Sequence, residues 1–290
     1  MTDYGPKTRL DNVDYGAKMR PGSYDYGALP YESFTPDAQA FISAAGITNP
    51  TQQNAINQLV IDLKAASVWT KLPVIYPMVG GTAAFHKWNL KDPRDLDAAY
   101  RLVFSGTWSH ASTGVTPTSS HADTFFNPST NSAAWKTSNS LLFYSRTSAA
   151  AGDGWVMGVG DTSTGNPLFG LAIRRTTGGL NIYDSGNVAT GRAQASPLNG
   201  LGLTSGSCTS ATSRKLYRNG AVSATNVTSD TANASNASIY LGALRATAGS
   251  TLYQDNECAF AAIGDGLTDA EMSAIYTAVQ AYQTTLSRQV

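Results

Sequence analysis

The stretch Cys258-Ala259-Phe260-Ala261-Ala262-Ile263-Gly264-Asp265-Gly266-Leu267-Thr268-Asp269-Ala270-Glu271 changes its hydrophobic period partway along. The first seven residues form an unbroken apolar run of strand length. Thr268 and Glu271 then have the spacing of a capping box, in which each side chain satisfies a backbone N–H of the other. Met272, Ile275, Tyr276, Val279, Tyr282, Gln283 and Leu286 follow at helical spacing. A buried strand therefore passes through Gly-Asp-Gly into one amphipathic helix that closes the chain. Upstream lies a second strand candidate, Ala237 to Ala243. Before it, Lys215-Leu216-Tyr217-Arg218-Asn219-Gly220-Ala221-Val222 carries Asn-Gly between alternating apolar positions. That pattern predicts a hairpin, because both central residues of a type I′ turn need positive φ.

This order of elements resembles the laminin-G-like (concanavalin-A-like) jelly roll. "LYRNGAVS" is similar to that family's hairpin, and "FAAIGDGLTDAEMSAIYTAVQAYQTTL" to the closing segment of its bacteriophage versions. A second stretch, "GGTAAFHKWNLKDPRDLDAAYRLVFSGTWSHASTG", resembles a segment of bacteriophage structural proteins that carry the same jelly roll. There the pattern runs "YPxVGGT", "HKxNLKxP", "RLxFxGxxTHS"; this chain departs from it with Trp108-Ser109-His110. "LLFYSRTSAAAGDG" matches as a central strand. The resemblance spans about residues 35 to 290. It implies a mainly β fold, a concanavalin-A/laminin-G-like β-sandwich (jelly roll) with a helical hairpin and a C-terminal helix; the N-terminal extended arm lies outside the resemblance and is read from its own residues. It also implies a non-enzymatic virion structural protein, a capsid decoration, head fibre or tail component exposed on the particle surface. Its partners would be capsid or tail proteins and further copies of itself. Such sandwiches host lectins and enzymes as well as structural modules. Two other readings therefore stand beside this one: a lectin-like module that binds host-surface glycans, and a glycan-degrading enzyme.

Charged residues are few and balanced, with 20 Lys+Arg and 20 Asp+Glu in 290 residues. That excludes a broad electrostatic grip on nucleic acid. No run is long and apolar enough to span a bilayer, and the polar N-terminus lacks the pattern of a secretory signal.

Residues 1–34 read as an extended arm. Asp3-Tyr4-Gly5, Asp14-Tyr15-Gly16 and Asp25-Tyr26-Gly27 recur at a constant spacing, and Pro6, Pro21 and Pro30 interrupt any regular element. Such a segment buries too little apolar surface to fold alone. Tyr offers a large apolar body with a polar tip, suited to an interface. The three units are expected to anchor the arm in repeated pockets of an assembly, or else to lie against the chain's own domain. Residues 35–70 read as a helical hairpin. Thr35-Pro36 and Asn49-Pro50 start its helices, and Gly46 ends the first. It would pack on the sandwich or form the contact between copies. Residues 71–290 read as the sandwich. Leu141–Tyr144, Trp155–Val159, Phe169–Ile173 and Leu180–Tyr183 are strand candidates. The polar stretch from Val188 to the hairpin reads as irregular.

Chemistry is sparse. The histidines, His86, His110 and His121, have no metal-ligand spacing, and no nucleophile elbow is present. Asp153, Asp161, Asp184, Asp255, Glu257 and Asp265 lie mostly beside Gly or Asn, which reads as turn chemistry rather than an acid/base pair. No metal or cofactor site is expected. Trp108, Trp135 and Trp155 are either glycan contacts or core residues. Cys208 and Cys258 form either a disulfide or two separate thiols.

Overall fold

The computed structural model describes residues 34–147, 153–163, 166–187, 190–196, 199–230 and 233–290. Helix α1 (Pro36–Ala45) begins where the Thr35 hydroxyl accepts from the Ala38 N–H, and ends at Gly46 with φ of 68°. Helix α2 (Pro50–Ala65) is capped by the Asn49 side chain, which accepts from the Gln52 N–H. Phe41, Ile42, Ile56, Leu59, Val60 and Leu63 bury their common face.

Strand β1 (Val74–Tyr76), the short helix α3 (Ala83–His86), β2 (Val103–Ala111), β3 (Gly114–Asp123) and α4 (Pro128–Asn131) follow. Then come β4 (Asn139–Ser145), β5 (Met157–Gly160), β6 (Pro167–Ala172), β7 (Asn181–Asn187), β8 (Arg192–Ala195), β9 (Gly202–Ser210), β10 (Ser213–Arg218) and β11 (Ala221–Asn226). The chain ends with β12 (Tyr240–Leu241), β13 (Ala243–Ala246), β14 (Leu252–Tyr253), β15 (Cys258–Gly264) and helix α5 (Asp269–Thr285).

The strands pair in the order β11-β10-β9-β4-β15-β3-β12-β5-β6-β7-β8, with β1 on β15 and β2 on β3. Every pair along that path is antiparallel. The path folds over on itself. β3 turns the corner, because its Val115 pairs with Cys258 while its Ala122 pairs with Leu241. At the far ends, the Asn226 amide donates to the carbonyls of Thr190 (2.9 Å) and Arg192 (2.6 Å), drawing β11 against β8. The sheet is thus nearly closed into two layers. The fold is mainly β, a jelly-roll-like β-sandwich.

Alternation along β4 shows how the layers are held. Leu141 and Phe143 point into the core between the two sheets, while Leu142 and Tyr144 point into a second core under the helices. A strand buried on both faces reads as a continuous apolar run. The second core joins α1, α2 and α5 to the outer face of the β9–β4–β15 layer. Residues 35–70 and 71–290 therefore share one compact unit, Phe34–Val290. The C-terminus is fixed by Arg288, fully buried, whose guanidinium donates to the carbonyls of Met78, Pro77 and Ala259.

The expected hairpin is present, with φ of 49° at Asn219 and 76° at Gly220. The capping box at Thr268 is complete. The strand expected over 237–243 is split at Gly242 (φ 83°), where the chain leaves its antiparallel pairing with β3 and β5 to run parallel to β5. The stretch expected to be irregular after Val188 instead contains β8 and the nine-residue β9. β9, Gly-Leu-Thr-Ser-Gly-Ser-Cys-Thr-Ser, is built of small residues because large ones sit across from it. A Cβ on Gly206 would fall inside the Tyr183 ring.

Candidate functional site

Among the described residues β2 pairs with β3 alone, so the β2–β3 hairpin presents an edge. Alternation along β2 puts Phe104, Trp108 and His110 on one side, and β3 bulges opposite Gly106 (φ 83°), where Ser119 and Ser120 face that single residue. Such a bulge twists an edge away from further pairing. Phe104 meets Trp108 edge-on with centroids 5.1 Å apart, and meets His110 at 4.8 Å. The Trp108 indole N–H donates to the Ser105 carbonyl at 3.1 Å. Its ring lies against Gly242, where a Cβ would come within 3.0 Å of it. Trp108 is therefore half-buried, with part of its ring facing solvent.

His110 continues inward to His86, with their Nδ1 atoms 3.0 Å apart. The Gly81 N–H donates to His86 Nε2 at 3.2 Å. The His86 proton must then sit on Nδ1 and be donated to His110 Nδ1, which leaves the His110 proton on Nε2. Burial, then the neighbouring His110 and Arg288, hold His86 down at about 3. The pair is neutral and structural in its hydrogen bonding.

A second exposed group crosses the back layer. His121 of β3 stacks on Tyr240 of β12, centroids 4.1 Å apart and planes 10° apart. The Arg245 guanidinium of β13 lies 5.0 Å from the Tyr240 centroid, and Tyr253 of β14 lies 6.3 Å from His121. Arg245 also approaches Asp123 at 3.5 Å and donates to the Ser238 hydroxyl. His121 Nδ1 is buried without a hydrogen-bond partner, and burial lowers the imidazole's pKa. All four members of this strip are half-buried. Tyr240, Arg245 and Tyr253 come from the consecutive strands β12, β13 and β14, and His121 joins them from β3, far upstream in the sequence. Aromatic edges beside a guanidinium and a carboxylate can pack the apolar face of a ligand while bonding its polar rim.

The other candidates fall elsewhere. Trp135 and Trp155 are each 1% exposed, so neither can touch a glycan. Trp135 packs between Phe126 and Phe169, and Trp155 covers Gly170 on the outer face of the back layer. Cys208 and Cys258 are both free and buried. They face opposite ends of β4, with Cys208 opposite Asn139 and Cys258 opposite Ser145, which is too far for a disulfide. Burial pushes both thiols up.

Asp153, Asp161 and Asp255 tie loops by accepting from the N–H groups of Thr177, Ser163 and Ser119. Asp184 is no turn residue. It is wholly buried on β7, accepts from Arg192 Nε at 3.0 Å, and has its Oδ1 unpartnered. Burial raises it to about 7, against the lowering influence of Arg192. Among the described residues, no group of three His, Cys, Asp or Glu side chains is placed to hold a metal. Asp3, Tyr4, Gly5, Asp14, Tyr15, Gly16, Asp25, Tyr26 and Gly27 lie outside the described residues. No described helix is long and apolar enough to cross a membrane.

No family model matches the sequence, and no curated protein is significantly similar to it. Solved structures are similar in part. Domain 4 of AbnA, a GH43 extracellular arabinanase from Geobacillus stearothermophilus in complex with arabinotriose, is 12% identical with a TM-score of 0.46; the match covers 71% of this chain and 98% of that domain. Trypanosoma rangeli sialidase is 10% identical with a TM-score of 0.48, over 77% of this chain and 39% of the enzyme. The binding domain of botulinum neurotoxin serotype D is 10% identical with a TM-score of 0.46, over 73% of this chain and 52% of that domain. The chain thus spans well under two thirds of the sialidase and about half of the neurotoxin domain.

Proposed function

We propose that this chain is a non-enzymatic structural protein of a bacteriophage particle. Its arm fastens it to capsid or tail proteins, and its sandwich is displayed on the particle surface in several copies. One observation carries the reading: the compact unit begins at Phe34, a few residues past the last of the three Asp-Tyr-Gly repeats at Gly27. A self-contained module preceded by a repeated, proline-interrupted segment is the division of labour that display requires. Many copies would also let weak individual contacts hold through avidity. The test is mass spectrometry of purified particles, with this chain quantified against the major capsid protein. A fixed stoichiometry is expected, in the hundreds for a capsid decoration or far lower for a tail part. Complete absence from particles overturns the proposal.

A second reading is compatible with the first: the displayed sandwich adheres to surface glycans. The half-exposed strip of His121, Tyr240, Arg245 and Tyr253 supports it, because sugar rings pack on aromatic surface and hydrogen-bond to flanking charged groups.

A further inference from the structure

At the N-terminal end of α5 the helical layer stops short of the sheet edge. Among the described residues nothing covers the outer face of β9 and β10 there, and a cleft of about 360 Å³ opens. Strand alternation sends Ser207 and Thr209 of β9, and Ser213, Lys215 and Tyr217 of β10, to this face. Asp269, the first residue of α5, forms the opposite wall. Lys215 Nζ donates to both Asp269 oxygens at 2.8 and 2.7 Å, and the Tyr217 hydroxyl donates to Oδ1 at 2.7 Å. These bonds from Lys215 and Tyr217 hold the Asp269 carboxyl below its ordinary range. The Thr209 and Ser213 hydroxyls meet at 3.1 Å. The pair that dominates the cleft still faces water, with the Asp269 side chain 55% exposed and Lys215 28%.

The chemistry selects among ligands. One ammonium and one carboxylate cancel, so the cleft has no net field for an anion or a cation. A phosphate would meet Asp269, and an amine would meet Lys215. The remaining lining sets hydroxyls beside the apolar side chains of Leu267 and Ala270, a surface too polar for a purely apolar ligand and suited to one with both polar and apolar faces. What remains is a neutral molecule dense in groups that both donate and accept. Adjacent ring hydroxyls can receive from Lys215 and donate to Asp269 at once, with Tyr217 and Lys215 already holding the carboxylate in place. The volume falls in the ordinary range for small-molecule sites, roughly 300–1,000 Å³. We infer that this cleft between β9, β10 and the start of α5 binds a neutral saccharide. The inference rests on the glycan-adhesion reading and gives it a place separate from the aromatic strip.

The test is calorimetric titration of the full chain with neutral trisaccharides of glucose, galactose, mannose and arabinose, and with sialyllactose as an anionic probe. Thr209→Trp fills the cleft from an exposed position, and Lys215→Met removes its donor. Val227→Trp adds the same ring at a site 72% exposed and outside the cleft. At least one neutral trisaccharide should bind the parent and Val227→Trp equally. Binding should weaken at least tenfold in both Thr209→Trp and Lys215→Met, with their melting temperatures recorded alongside. Undiminished binding in the two cleft variants overturns this assignment and leaves the adhesion reading standing. A preference for sialyllactose overturns the neutral class. No binding of any probe overturns the cleft and the adhesion reading together.

Discussion

Asp184 shows how far a single residue can depart from what its neighbours in sequence suggest. Its flanks, Tyr183 and Ser185-Gly186-Asn187, read as a turn, yet it stands in the middle of a buried strand beside Arg192. Burial raises its carboxyl to about 7 in the folded chain, whereas an unfolded Asp titrates near its ordinary 3.8. The folded state therefore holds more protons between those values, and the stability associated with the protonated form is lost as pH rises through about 7. The slope from one such group is at most about 1.4 kcal/mol per pH unit. Asp184→Asn removes it. Urea unfolding across pH 4 to 8 should show the variant gaining on the parent as pH rises; a constant difference would mean that Asp184 does not titrate in that window. Residues whose role is local were legible in the sequence. Asn219-Gly220 makes its turn, and Thr268 caps its helix, because each depends on neighbours within three positions. Exposure was not legible. Trp108, Trp135 and Trp155 look alike in sequence, and only distant partners such as Gly242, Phe126 and Gly170 decide which of them reaches water.

At the scale of elements, the strands that sequence revealed are those with large apolar side chains, such as β4 and β15. Those it hid are β2, β3, β8 and β9. β9 is the instructive case. It lies between β4 and β10 and is mostly buried, but its composition of Gly, Ser and Thr resembles a loop. Its smallness is complementary to Tyr183, whose fully buried ring occupies the space over Gly206 and whose hydroxyl donates to Asn139. A strand is selected here by fit to a bulky neighbour rather than by its own hydrophobicity. Gly206→Ala should consequently cost about 3 kcal/mol, the upper end for overpacking a tight core. Adding Tyr183→Leu, which removes the ring, should recover part of that loss. A double-mutant cycle by urea denaturation measures the coupling. An additive cycle would show that the two residues do not share this space.

For the whole molecule, the sequence divides the chain into arm, helical hairpin and sandwich, and the packing places the last two in one unit. The reason is the second face of the β9–β4–β15 layer. Leu142, Tyr144, Leu203, Phe260 and Ala262 point away from the inter-sheet core and need a cover. Helix α5 supplies part of it, and Met272, Ile275 and Val279 lie in the same cluster as Ile56, Leu59 and Leu63 of α2. The six large apolar side chains that α1 and α2 bury are each worth about 1.5–3 kcal/mol of gross burial. Their sum, on the order of 10 kcal/mol, is comparable with the entire net stability of a typical domain, about 5–15 kcal/mol. A chain starting at residue 34 should therefore melt in one cooperative transition. A chain starting at residue 71 should lose cooperativity or aggregate through its uncovered sheet face, because that face then presents contiguous apolar surface to water. Calorimetry of the two truncations decides the matter. If the shorter chain melts cooperatively at a similar temperature, the helical layer is an accessory to an independently stable sandwich. If it does not, three layers are the minimum folding unit, and any displayed module must carry residues 34–70 with it.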